Sequence, residues 1–295
     1  MKGRIVSFLL TVAVFLTALF GVGATVPEKS IKYRDISYGA HERQTLDLNI
    51  PTDNDGEIGL VLFIHGGGWI AGEKDGYEKS LENVSDIYGF ASAAMNYRYV
   101  SESTDLGDIM DDIDATLALI KQKGEENGVN INKVLLTGGS AGGHLSLLYG
   151  YSRVETAPIK PVAVVDNCGL SDLNDENYYI ENGLGSDEQI AELFSWAIGE
   201  SFTYEERATK YELLEKYSPN YYINENTVPT VINHGMKDNV VPYSNALSLD
   251  AKLTEYGVVH VLNAYPESGH GLEADKENQK KATELFYGYC EAYLN

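Results

Sequence analysis

Two spacings of apolar residues alternate along this chain. Short runs rich in Val, Ile and Leu occur in IGLVLFIHGGG, FASAAMNYR, NKVLLTGGS, KPVAVVDNCG, VPTVINHG and VVHVLNAYP, and each halts at Gly, Asn or Pro. Unbroken runs of this kind suit strands covered on both faces. Ahead of them, IKYRDISYG and RQTLDLNIP alternate apolar with polar positions, as an antiparallel hairpin with one wet face would. Helical spacings lie between the runs. In LGDIMDDIDATLALIKQKGEE, Ile109, Ile113, Leu117 and Ile120 recur every three to four residues and the aspartates crowd toward the N-terminus, where the helix dipole favours negative charge. The other helical stretches are YEKSLENVSDIY, SAGGHLSLLYGY, YSNALSLDAKLTEYG and the closing LEADKENQKKATELFYGYCEAYLN. This alternation predicts an α/β fold with one mostly parallel central sheet flanked by helices.

One interval breaks the rhythm, from about residue 170 to 227. SDEQIAELFSWAIG and TYEERATKYELLEKY each open on Ser or Thr with Gln or Glu three residues later, the mark of a capped helix. A helical cap insertion above the sheet is expected there. The start of the chain differs again: Lys2 and Arg4 precede an apolar run from Ile5 to about Phe20, followed by the small residues of GVGA. That pattern predicts a signal peptide over residues 1–24, cut after Ala24, and hence a secreted protein, extracellular or periplasmic. An uncleaved membrane anchor is the alternative that the length of the run leaves open. Residues 25–295 then form one domain, large enough to bury a substantial core.

Composition narrows the chemistry. With 44 acidic side chains against 22 basic ones, the surface repels phosphate backbones, and nucleic acid is not an expected partner. The sequence contains neither H-E-x-x-H nor C-x-x-C, and neither G-x-G-x-x-G nor a P-loop. No metal and no cofactor are therefore expected. Export would permit the two cysteines, Cys168 and Cys290, to pair. Cys168 follows a strand at one edge of the sheet while Cys290 lies near the far end of the last helix, so no disulfide is expected.

The candidate chemistry gathers at strand ends. In LLTGGSAGGHLSLL, residues 135–148, glycines crowd around Ser140 where a strand run meets a helix run. A strand that turns straight into a helix forces one residue into a strained conformation, and its neighbours must lack side chains. Gly138 and Gly142 supply that clearance in the pattern G-x-S-x-G, which lifts a serine hydroxyl above the sheet at a helix N-terminus. Serine is a weak nucleophile and needs a base, and the base needs an orienting acid. Asp238 and His270 each fall just past a later strand run, at the edge where open α/β sheets keep their sites. IHGGGW adds a bare backbone after a strand, suited to donate hydrogen bonds to a developing oxyanion. His144 is expected to pack under the turn, and His65 and His234 to serve as hydrogen-bonded supports.

With His65-Gly66-Gly67-Gly68-Trp69, NYR at 96–98, Gly138 to His144, Asp238 and Ser268-Gly269-His270-Gly271 in this order, the chain resembles the hormone-sensitive-lipase-like branch of the α/β-hydrolases, near bacterial acetyl- and feruloyl-esterases. The resemblance covers nearly all of the chain after the leader. It implies the α/β-hydrolase fold and a serine esterase with Ser140, Asp238 and His270 as triad and the N–H groups of Gly67, Gly68 and Ala141 as oxyanion donors. The stretch after NYR lacks the proline common in relatives, which leaves the shape of the pocket wall open.

The expected substrates are short-chain acyl esters, with acetylated or feruloylated plant polysaccharide foremost. A lipid- or small-molecule-directed carboxylesterase, a thioesterase and an inactive ligand-binding homologue are the rival readings. Ten aromatic side chains stand between Tyr178 and Tyr222, faces on which a sugar or phenolic ring could stack. Trp69, Tyr178 and Tyr179 are taken as substrate contacts, and Phe194 and Trp196 as packing.

Overall fold

The structure is a computed structural model that describes residues 29–180 and 185–295. The leader predicted over residues 1–24 lies outside the described residues. Eight strands form one sheet: β1 (Ser30–Ser37), β2 (Thr45–Pro51), β3 (Leu60–Ile64), β4 (Ala91–Met95), β5 (Lys133–Gly139), β6 (Lys160–Asn167), β7 (Thr230–Gly235) and β8 (His260–Tyr265). Their order across the sheet is β1-β2-β4-β3-β5-β6-β7-β8. β1 and β2 pair antiparallel, β2 runs antiparallel to β4, and every pair from β4 onward is parallel. This is the α/β-hydrolase fold, and the parallel strands put all their carboxyl ends on one edge.

The helices are α1 (Glu78–Glu82), α2 (Leu106–Glu126), α3 (Ala141–Ser152), α4 (Asn177–Ile180), α5 (Asp187–Ile198), α6 (Tyr211–Lys216), α7 (Tyr243–Glu255) and α8 (Lys276–Leu294). Side chains alternate across a strand, and the core divides accordingly. Leu60, Leu62 and Ile64 of β3 join the larger cluster with α2 and α3, while Val61 and Phe63 join the smaller one with Tyr289 and Leu294 of α8. Both predicted capping boxes are present, Ser186 with Gln189 and Thr203 with Glu206. The second opens a 3-10 turn, Tyr204–Lys210, that passes into α6. The insertion is not a detached roof, because Ile190, Phe194 and Ile198 share the larger core with Ile109 and Ile113 of α2.

Two expectations need correction. β2 has no wet face: Asp47 and Asn49 are buried, because Lys74 covers Asp47 at 2.9 Å and Arg34 donates to Asn49 at 2.8 Å. The stretch expected as one helix over 77–88 changes pitch instead, with a 3-10 turn at Lys74–Tyr77, α1, and a π turn at Asn83–Ile87. Cys168 and Cys290 are both free and buried. Among the described residues no helix is long and apolar enough to cross a membrane.

Candidate active site

Ser140 sits between β5 and α3 with φ 55° and ψ −123°. A positive φ on a residue with a side chain costs on the order of 1–3 kcal/mol and persists only when its surroundings impose it. Here the Ser140 N–H donates to the Asn167 carbonyl at 2.8 Å and its own carbonyl accepts the His144 N–H at 2.9 Å. A methyl group on Gly142 would collide with the Ile64 and His65 carbonyls, and one on Gly66 would come within 2.7 Å of the Gly139 carbonyl. The turn therefore closes only because glycine stands on both sides of the contact.

Asp238, on the loop after β7, and His270, on the loop after β8, meet in a 2.7 Å hydrogen bond between Oδ2 and Nδ1. Asp238 is fully buried and His270 about a quarter exposed. Oδ1 of Asp238 accepts the N–H groups of Val240 and Val241 at 2.8 and 2.9 Å. Burial alone would raise the Asp238 carboxyl, but the His270 hydrogen bond and charge, His234 and the Val240 N–H outweigh it and hold it below its ordinary range. The group is thus an anion, and the proton on His270 faces it from Nδ1. Nε2 is then the basic nitrogen, the arrangement a general base requires. Asp275, another acid near His270, instead accepts from Ser268 at 2.6 Å.

The HGGGW loop carries three consecutive positive φ angles, at Gly67, Gly68 and Trp69. Among the described residues no carbonyl accepts from the Gly67 or Gly68 N–H. Ala141 is the first residue of α3, where helical N–H groups have no intrahelical partner.

Two of the three expected substrate contacts do not hold. Trp69 is 1% exposed, and its indole N–H donates to His144 Nδ1 at 3.2 Å. Tyr178 is 2% exposed, its hydroxyl donating to Asn245 at 2.9 Å and its ring set edge-on to Phe194. Aromatic rings with no path to solvent pack; they do not meet a ligand. Tyr179 is half-buried, against Tyr204 and the Arg207 guanidinium.

The histidines expected as supports are so placed. His144 Nε2–H donates to the Tyr217 carbonyl at 2.7 Å, tying α3 to the insertion. Burial lowers His144 and His65 to about 4, so both are neutral. His234 donates to the Val241 carbonyl at 2.9 Å behind Asp238.

Sequence reasoning missed a row of amides beneath the site. Asn167 donates to the Gly138 carbonyl, Asn233 to Asn167, and Asn263 to Asn233, each at 2.9–3.0 Å. Asn278 of α8 closes the row on Asn263 at 3.0 Å. The spacing of NCG, NHG and NAY at the ends of successive strand runs was the available signal.

A family model described as BD-FAE matches residues 46–253, more than two thirds of the chain, a span that includes Ser140 and Asp238 and stops before His270. A probable isoprenylcysteine alpha-carbonyl methylesterase of Oryza sativa subsp. japonica is 34% identical over 113 residues, 38% of this chain and 26% of that protein. A probable carboxylic ester hydrolase of Mycobacterium tuberculosis is 37% identical over 117 residues, 39% of this chain and 27% of that one. The chain thus matches about a quarter of the length of each of these relatives. A solved structure, a truncated form of carbohydrate esterase from gut microbiota, superposes with TM-score 0.73 at 21% identity, covering 92% of this chain and all of that one. From its strand order, its strained serine turn and the extent of the family match, the chain belongs to the BD-FAE family within the α/β-hydrolases.

Proposed function

We propose that the protein is a serine carboxylic-ester hydrolase that works through an acyl-enzyme. The observation that carries the reading is the 2.7 Å bond between His270 and the buried Asp238, on the sheet edge where a strained turn exposes Ser140. Nε2 of His270 takes the hydroxyl proton as Ser140 Oγ attacks the ester carbonyl. The carbonyl oxygen becomes negative and is met by the N–H groups of Gly67, Gly68 and Ala141. His270 then returns the proton to the leaving alcohol, and water repeats the sequence on the acyl-enzyme. Asp238 stays ionised and holds the imidazole in its tautomer. The esterase names of the curated relatives support this activity.

The substrate class we assign is short acyl esters, acetyl first, on acetylated or feruloylated plant polysaccharide outside the cell. A lipid-directed enzyme needs a broad apolar patch, whereas the stretch from Ser171 to Gln189 that opens the insertion is acidic and polar. The carbohydrate esterase that superposes on the chain supports the same direction. Residues 1–24 would direct export. Hydrolysis of p-nitrophenyl esters of two to ten carbons, beside acetate and ferulate release from xylan, tests the assignment. Falling kcat/KM with chain length together with release from the polymer is expected. Rising kcat/KM and no release would make the protein a lipid-directed carboxylesterase.

A further inference from the structure

Arg43, in the turn before β2, lies far from Ser140 in the chain yet spends its guanidinium on the loop from His65 to Glu73. Nη2 donates to the Gly72 carbonyl at 3.0 Å and meets His65 Nε2 at 3.3 Å. Nε donates to the Tyr97 carbonyl at 2.9 Å, and Nη1 to Glu73 at 3.0 Å. The guanidinium plane stacks on the Tyr99 ring, 3.7 Å from its centre, and the Tyr99 hydroxyl donates to the same Gly72 carbonyl at 2.7 Å. The side chain is only 14% exposed.

The consequence runs through protons. Arginine always donates and never accepts, so His65 Nε2 must be the accepting nitrogen and the ring proton must sit on Nδ1. That Nδ1 lies 2.8 Å from the Gly66 carbonyl and donates to it. The ring cannot turn away, because it stacks on Tyr97 at 4.2 Å and the Tyr97 hydroxyl holds the His65 carbonyl at 3.0 Å. The Gly66 carbonyl and the Gly67 N–H belong to one planar trans peptide and point in opposite directions. Pinning the carbonyl toward His65 therefore turns the Gly67 N–H away from that ring. Gly66 itself lies against Ser140.

We propose that Arg43 is the positioning residue of the oxyanion hole: by fixing the tautomer of His65 it aims the Gly67 N–H. The proposal rests on the esterase reading above. It assigns to Arg43 no contact with substrate; its effect passes through His65 and Gly72. Within the loop only Trp69 carries a positive φ at a residue with a side chain, and the contacts of Arg43 with His65, Gly72 and Tyr97 brace the backbone on either side of it.

The test compares Arg43→Met, Arg43→Ala, Arg43→Lys and the control Glu73→Gln on p-nitrophenyl acetate. Arg43→Met should lower kcat by about 10- to 100-fold, somewhat less than deletion of an oxyanion donor, with KM changed less than about threefold. Affinity for an aryl trifluoromethyl ketone, which forms a tetrahedral oxyanion on serine, should fall by the same factor as kcat. Arg43→Lys should recover part of the rate, because lysine still reaches the Gly72 carbonyl but lacks the fork. Added guanidinium should raise the rate of Arg43→Ala. Glu73→Gln removes only a surface pair and should keep the wild-type rate. If the Arg43 variants keep wild-type kcat and ketone affinity, even with a lower Tm, the positioning role is wrong and Arg43 is only structural. A wild-type protein that hydrolyses no ester would overturn the esterase reading and the proposal with it.

Discussion

The elbow at Ser140 is held by backbone against backbone, whereas the loop from His65 to Glu73 is held by side chains that reach in from other parts of the chain. At the elbow the Ile64 carbonyl occupies the place of a missing methyl on Gly142. In the loop, Arg43, Tyr97, Tyr99 and the Trp69–His144 bond supply the restraint. A backbone contact of the first kind either fits or fails. Restraint by several side chains is graded, and each can be weakened separately. The two sides of the candidate site should therefore respond differently to mutation.

The variant that separates base chemistry from both turns is Asp238→Asn, which should have the largest effect. The amide keeps an oxygen for Val240 and Val241 but presents the wrong group to His270, so kcat should fall about 10⁴-fold with KM nearly unchanged. A loss below tenfold in steady-state assays would show that Asp238 does not orient the base. Gly142→Ala comes next. Neither carbonyl facing it can move without shifting β3, so a cost of about 1–3 kcal/mol in urea unfolding and roughly a hundredfold loss of kcat from displaced Ser140 are expected. An alanine variant with normal activity would mean the elbow is not closed by sterics.

Trp69→Phe tests the graded side. It removes the donor to buried His144 Nδ1, at about 1–3 kcal/mol, but leaves Arg43 and Tyr99 in place, and the rate should fall about tenfold or less. A collapse of activity as complete as at Gly142 would erase the distinction between the two turns. The last test moves stability with pH and leaves the rate aside. His65 and His144 protonate near 4 in the folded protein and near about 6.5 when unfolded. Below that higher value the unfolded chain takes up protons that the folded state refuses, so stability falls as pH drops through the window. Each imidazole contributes at most about 1.4 kcal/mol per pH unit. Urea midpoints measured from pH 7 to 4.5 should decline, and His144→Gln should flatten the slope; an unchanged slope would mean His144 is not the neutral bridge described.

The same contrast explains what could be read from the sequence. Strand stops, capping residues and the glycines about Ser140 are local features, each set by a few neighbouring residues, and they locate all eight strands and the serine turn. Asp238 and His270 were legible because each follows a strand run directly. Trp69 and Tyr178 were misread because composition registers an aromatic ring but not the direction it faces, and both turn inward. Arg43 left no signal at all. Its partners His65, Gly72 and Tyr97 are 22, 29 and 54 residues away, and only the folded chain brings them together.

The central claim, that Ser140 is the nucleophile of an ester hydrolase, is tested most directly by covalent labelling. The protein is treated with a p-nitrophenyl alkylphosphonate, and the adduct is located by intact mass and peptide mapping. One phosphonyl group on Ser140, formed as activity disappears, is the expected result, with Ser140→Ala remaining unlabelled and losing about four orders of magnitude in kcat. Labelling elsewhere, or a Ser140→Ala protein that keeps a tenth of the wild-type rate, would contradict it.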